Sequence, residues 1–106
     1  MRVYVKASMP VEAGNAVIRS GTLAATMETL LKELQPETAF FYADTLGRRT
    51  ANFLLDLKDA SQIPAIAEPL FLAFNASVEI YPVMLAEDLM KAGPGIEHAV
   101  QQYGHA

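Results

Sequence analysis

The chain has 106 residues, of which 52% are hydrophobic and 19% charged, with no cysteine and a formal net charge of -4. That length suits one domain spanning residues 1–106, and that apolar content offsets the ordering entropy of a compact fold, which excludes disorder. The eight Lys and Arg are scattered, so no basic stripe exists to neutralise phosphates and nucleic-acid partners are excluded, while the lack of cysteine removes disulfides, thiolate nucleophiles and thiolate metal sites.

Val3, Val5 and Ala7 alternate with Tyr4, Lys6 and Ser8, and a period of two puts the two sets on opposite faces of a strand. The same alternation, with Arg2 and Lys6 inside it, leaves no uninterrupted apolar run of the kind a secretory signal needs, which fits a cytoplasmic protein. Pro10 ends the strand. From Val11 the period lengthens, and Leu23, Met27, Leu30, Leu31 and Leu34 fall in one helical stripe. Gly21 suits a helix C-terminus and Thr22 a following N-cap, so the spacing predicts a short helix over 11–20 and a longer one ending at 34.

Pro36 separates that helix from an aromatic run of strand length, Thr38–Ala43, and Gly47 supplies the turn into a second run over 50–58, which together make a hairpin. Asp59 with Gln62 three residues on has the form of a capping box, and Ile63, Ile66, Ala67, Leu70, Phe71 and Phe74 then recur at helical spacing. Pro64 is tolerated in the first turn, whereas Pro69 is expected to kink or divide this helix. The segment is also far shorter than the roughly 20 apolar residues that span a bilayer, so no membrane association is expected.

Asn75 is able to close the helix in a left-handed conformation, and Val78, Ile80, Pro82 and Met84 then alternate with Glu79, Tyr81 and Val83 as a last strand. Pro82 restricts that strand to a sheet edge. The remainder, 86–106, reads as a helical tail interrupted at Gly93-Pro94. The element order gives an α+β, ferredoxin-like βαββαβ fold: a four-stranded antiparallel sheet in the order 4-1-3-2, both helices on one face, and the tail beyond.

The set Val3, Val5, Ala7, Ala51, Phe53, Leu55, Leu57, Val78, Ile80 and Met84 is the natural floor beneath the helices. The opposite face carries Tyr4, Lys6, Asn52, Leu54, Asp56, Glu79, Tyr81 and Val83, with Phe40 and Tyr42 if the second strand is phased that way. Four aromatic rings of roughly 150–250 Å² each, even half covered, reach the size of the largest apolar patches on ordinary monomers, about 300–600 Å². Lys6, Asp56 and Glu79 nevertheless exclude a dry interior, because unpaired buried charges cost several kcal/mol. A wet chamber between two copies of the sheet satisfies both demands, and the expected partners are a second copy of the chain and a small-molecule ligand.

The segments 10–15 (PVEAGN), 62–69 (QIPAIAEP) and 79–84 (EIYPVM) resemble the dimeric α+β barrel superfamily, which includes muconolactone isomerases and antibiotic-biosynthesis-type monooxygenases. The resemblance implies a homodimer whose sheets form the barrel, and implies fold more than activity. The cofactor-free monooxygenase branch relies on an Asn, Trp and His or Tyr set. This chain has no Trp and no Asn in its first strand, so that chemistry does not transfer. No catalytic residue of the isomerase branch matches position by position.

The candidate ligand-binding residues are therefore Tyr4, Lys6, Tyr42, Asn52, Asp56, Glu79 and Tyr81, with no cofactor and no metal expected. They suit an acidic or phenolic ligand and proton transfer without a cofactor. Against this stands a purely structural role in which Lys6 pairs with Asp56 or Glu79 across strands, worth about 0.2–1 kcal/mol. His98 and His105 lie roughly 10 Å apart along a helix, too far to share one metal ion, and Arg19, Arg48 and Arg49 read as solvated surface cations. Three functions stay open: a cofactor-independent enzyme, a non-catalytic ligand-binding module, and an oligomerisation module.

Overall fold

In the computed structural model, which describes residues 1–105, the sheet is formed by β1 (Arg2–Ser8), β2 (Thr38–Ala43), β3 (Arg49–Asp56) and β4 (Ser77–Pro82). All pairings are antiparallel and the strand order is β2-β3-β1-β4, the arrangement the alternation predicts. Helices α1 (Val11–Ser20), α2 (Leu23–Leu34) and α3 (Ile63–Phe74) lie on one face, and α4 (Ala86–Lys91) and α5 (Gly93–Tyr103) form the tail.

Each boundary has a local cause. Gly21 ends α1 at φ 71°, a left-handed conformation that costs glycine little, and its N–H bonds the Ile18 carbonyl. Thr22 follows, but its side chain does not cap α2; its backbone is already helical and its hydroxyl meets the Ser20 hydroxyl at 2.8 Å instead. Asp59 and Gln62 form the expected reciprocal box, with Ser61 N–H donating to Asp59 Oδ1 at 2.8 Å and Asp59 N–H donating to Gln62 Oε1 at 3.1 Å. This box heads one 3-10 turn, Ala60–Gln62, that runs directly into α3. Asn75 closes α3 at φ 51°.

Of the two outcomes expected of Pro69, division does not occur, and the reading of Met84 is corrected. Helix α3 runs through Pro69 without dividing, because Ile66, Ala67, Leu70 and Phe74 are buried on both sides of it and their packing outweighs one missing backbone bond. Met84 does not extend the core face of β4. The strand stops at Pro82, the Val83 N–H makes a last bond to the Arg2 carbonyl at 3.1 Å, and Met84 is 67% exposed.

The core is the layer between sheet and helices: Val3, Val5, Phe53 and Leu55 from the strands meet Leu30, Ile66, Leu70 and Phe74 from the helices. β1 and most of β3 alternate between buried and part-exposed residues as a half-covered sheet does, whereas β2 is exposed at five of its six positions. Pro82 lies in β4, which pairs only with β1 and is therefore an edge strand.

Candidate functional site

The register settles which side chains share the uncovered face. Tyr4 stands opposite Leu54 on β3 and Tyr81 on β4, Lys6 opposite Asn52 and Glu79, and Phe40 opposite Asn52. The second strand therefore has the phase that sends Phe40 and Tyr42 to this face. Their rings form a ladder across the sheet: Tyr81 to Tyr4 at 6.1 Å between centroids, Tyr4 to Phe40 at 6.4 Å, and Phe40 to Tyr42 at 6.4 Å. These separations are those of interacting aromatic pairs. Phe40, Tyr42 and Tyr81 remain 48%, 41% and 44% exposed on the single chain, so the ladder is a shelf whose rings cover one another only in part.

Polar groups fix the shelf from below. Asn52 is fully buried, at 0% exposure; its Oδ1 accepts from the Tyr4 hydroxyl, and its Nδ2 donates to the Phe40 carbonyl at 3.2 Å. Both ends of the amide are thereby engaged. Asn52 presents no surface to a ligand and instead positions Tyr4. Beside it, Ser8 and Thr50 are buried with their hydroxyls 3.3 Å apart.

At the β4 end, Glu79 bridges two donors. Its Oε1 accepts from the Tyr81 hydroxyl, and its Oε2 lies 3.8 Å from Lys6 Nζ. Burial, followed by the neighbouring Tyr42 phenol, pushes the Tyr4 phenol up to about 12, and the bond to Glu79 raises that of Tyr81. Both phenols are therefore neutral near pH 7 and act as hydrogen-bond donors, not as bases. The face offers a planar aromatic platform, two neutral phenolic donors and an ammonium–carboxylate pair at one edge.

Asp56 stands apart from this group. It faces Arg2, not Lys6, and accepts from Lys58 Nζ at 2.6 Å and from the N-terminal ammonium of Met1 at 3.2 Å. The lysine, then the terminus, hold its carboxyl down at about 2. Of the two cross-strand pairings anticipated for Lys6, the structure forms the one with Glu79. Among the described residues, no three His, Asp or Glu side chains come close enough to hold a metal ion, and no helix is long and apolar enough to cross a membrane.

The arginine pair is more structured than a solvated loop. Asp44 accepts from the Arg48 N–H and Nε, both at 2.9 Å, and from the Leu46 N–H at 2.9 Å, which closes the β2–β3 turn. Arg49 reaches across to α1, donating to Asn15 Oδ1 at 3.0 Å. It lies so close to Gly14 that a Cβ there would stand 2.8 Å from its Nη1.

A second concave feature lies on the helix side. Met9, Ile18, Leu23, Met27, Phe41 and Ala43 line an open, mostly apolar recess of about 710 Å³ between the α1–α2 junction and the outer strands. Periodicity alone does not reveal it, because it lies where the chain turns at Gly21 between α1 and α2, beside Phe41 and Ala43 of β2. The signal present in the sequence is Phe41, which faces the helix side beside Phe53 and is still 55% exposed.

No family model matches the chain, and no curated protein matches it. Among solved structures, the 5-chloro-2-hydroxyhydroquinone dehydrochlorinase of Burkholderia phenoliruptrix AC1100, in complex with 2,5-dihydroxybenzoquinone, is similar with a TM-score of 0.61 at 10% identity, over 82% of this chain and 97% of that one. A formyltetrahydrofolate deformylase from Pseudomonas putida KT2440 gives 0.49 at 16% identity, over 78% of this chain and 29% of that one. A Deinococcus radiodurans protein described as an antibiotic biosynthesis monooxygenase gives 0.40 at 12%, over 81% and 95%. The first of these shares the ferredoxin-like α+β fold, in keeping with the resemblance to dimeric α+β barrel proteins; at such identity the likeness establishes fold and nothing finer.

Proposed function

We propose that the ferredoxin-like sheet pairs face to face with that of a second copy, and that the chamber so formed binds a small planar organic acid or phenol without a cofactor. One observation carries this reading: a four-ring ladder runs across the face that no helix covers, with three of its rings still 41–48% exposed. Such a surface is costly in water. It is also well matched to a flat ligand, which stacks on the rings while its oxygen atoms meet Lys6 and the Tyr81 hydroxyl.

Lys6, Glu79 and Tyr81 are the residues assigned to the ligand's polar end, Tyr4 and Tyr42 to its ring, and Asn52 to holding Tyr4 in place. Asp56, bound to Lys58 and the N-terminus, belongs to the fold. Conversion of such a ligand would use Glu79 as the proton acceptor and Tyr81 as the donor to an oxygen. Binding without conversion is the alternative, and turnover separates the two.

The test is titration of the protein with small hydroxylated aromatics, quinones and aromatic acids, followed by tyrosine fluorescence and thermal shift. Saturable binding that Lys6→Ala and Tyr81→Phe each weaken at least tenfold, with Asp56→Asn unchanged, is the expected result. Binding indifferent to Lys6 and Tyr81, or absent across the series, refutes the assignment.

A further inference from the structure

The tail is an arm without a resting place on its own subunit. No residue of α5 is buried, the chain measures 60 × 29 × 20 Å along its principal axes, and its radius of gyration is 17.8 Å, against about 13 Å for a compact chain of this length. Yet α5 has a cohesive apolar side: Ile96, Ala99, Val100 and Tyr103 sit at offsets 0, 3, 4 and 7, one stripe of a helix, with Glu97, His98, Gln101 and Gln102 on the other side. An exposed helix patterned in this way is built to dock.

The same chain carries an unfilled apolar recess, the one of about 710 Å³ bounded by Met9, Leu23, Met27 and Phe41. The arm leaves the sheet after Pro82, which pairs with Val3 at the β4 edge. The recess lies toward the opposite corner, beside Ala43 and Arg49 at the far end of β2 and β3. Arm and recess are thus complementary in character but separated by the width of the sheet. We infer that α5 of one copy docks in the helix-side recess of a second copy, so that two chains exchange arms.

Reach and area agree with this. Helices α4 and α5 hold 6 and 11 residues and together extend about 25 Å at 1.5 Å per residue, the length of the seven-residue β1 at about 3.3 Å per residue. The four side chains of the stripe and the recess wall they cover remove at most about 650 Å² per arm from water, so two reciprocal arms reach the lower end of the range of about 1,200–2,000 Å² found in stable interfaces. Docking goes beyond the sheet-face pairing and stands without it.

The absence of native cysteine makes the test direct. Full-length chains carrying either Val100→Cys or Ala24→Cys, at exposed positions on the arm and on the recess rim, are co-purified through different tags and treated with a short bis-maleimide linker. The expected product is the mixed Val100–Ala24 dimer in majority yield, reduced at least tenfold when the Val100→Cys arm also carries Ile96→Glu, with circular dichroism unchanged. Val100–Val100 pairs in excess of mixed dimers mean that the arms pair with each other and overturn the inference, as does a mixed dimer at the yield of a freely diffusing control. A small apolar molecule found in the recess with the arm free overturns it too. Phe40→Glu is expected to spare this cross-link, so loss of sheet-face pairing and loss of arm exchange are read separately.

Discussion

Asn52→Asp changes one atom in the best-sealed polar site of the sheet. The new carboxylate keeps Oδ1 for the Tyr4 hydroxyl but replaces the Nδ2 donor, 3.2 Å from the Phe40 carbonyl, with an oxygen that repels it. With residue 52 at 0% exposure, burial favours the protonated acid, and fully buried carboxyls rise by up to about 3–5 pKa units. The bond from Tyr4 gives part of this back, so we expect a rise of about 2 units. At about 1.4 kcal/mol per unit, the variant is less stable by about 3 kcal/mol at pH 7. The sign follows from the raised folded pKa: the acid is protonated in both states below about pH 4, where the charge term vanishes, and the loss develops as pH rises through the folded-state value. Urea denaturation at pH 4 and pH 7, with Asn52→Leu as a control that loses the bonds but gains no charge, reads the difference. A loss of less than about 0.5 kcal/mol at pH 7, or one independent of pH, would show that water reaches this position and that Asn52 does not anchor the shelf.

Three further outcomes are expected. In an alkaline titration followed by tyrosinate absorbance, Tyr4 ionises near 12; the Tyr4→Phe variant loses that step, and the stability contributed by the neutral Tyr4 is full below about pH 10 and lost as pH rises toward 12. Asp56→Asn removes stability present above the ordinary carboxylate range of about 3.9 and lost as pH falls through about 2, so wild type and variant converge in acid denaturation at low pH. Pro69→Ala restores a backbone donor inside α3 and raises the unfolding free energy by about 1 kcal/mol; a decrease would show that the ring's packing beside Phe74 and Ala73 outweighs the missing bond.

The fold was legible in the sequence because alternation marked the strands and gave the faces of β1, β3 and β4, while the phase of β2, exposed along most of its length, was settled only by its register with β3. Val5 and Phe53 pair on the core side, Tyr4 and Tyr81 on the other. Gly21, Asp59 and Asn75 marked boundaries through backbone chemistry that is local and therefore readable. Pro69 left division of the helix open because its cost is local, while the compensation, burial of Ile66 and Leu70, is tertiary. The same division holds at the candidate site. The aromatic face followed from periodicity, but the role of Asn52 required knowing that Tyr4 and Phe40 close over it, and the preference of Asp56 for Lys58 over Lys6 depended on register at the strand's end. The helix-side recess had no sequence signal beyond Phe41, since a void is defined by what fails to cover it.

The sheet-face association is tested most directly by sedimentation of the wild-type chain and of Phe40→Glu at micromolar concentration. The account predicts a wild-type species of twice the 11.5 kDa chain mass and an affinity at least tenfold weaker in the variant, because a charge is forced into a covered aromatic surface. A wild-type protein that sediments only at 11.5 kDa, or a variant that associates as tightly as the wild type, would contradict it.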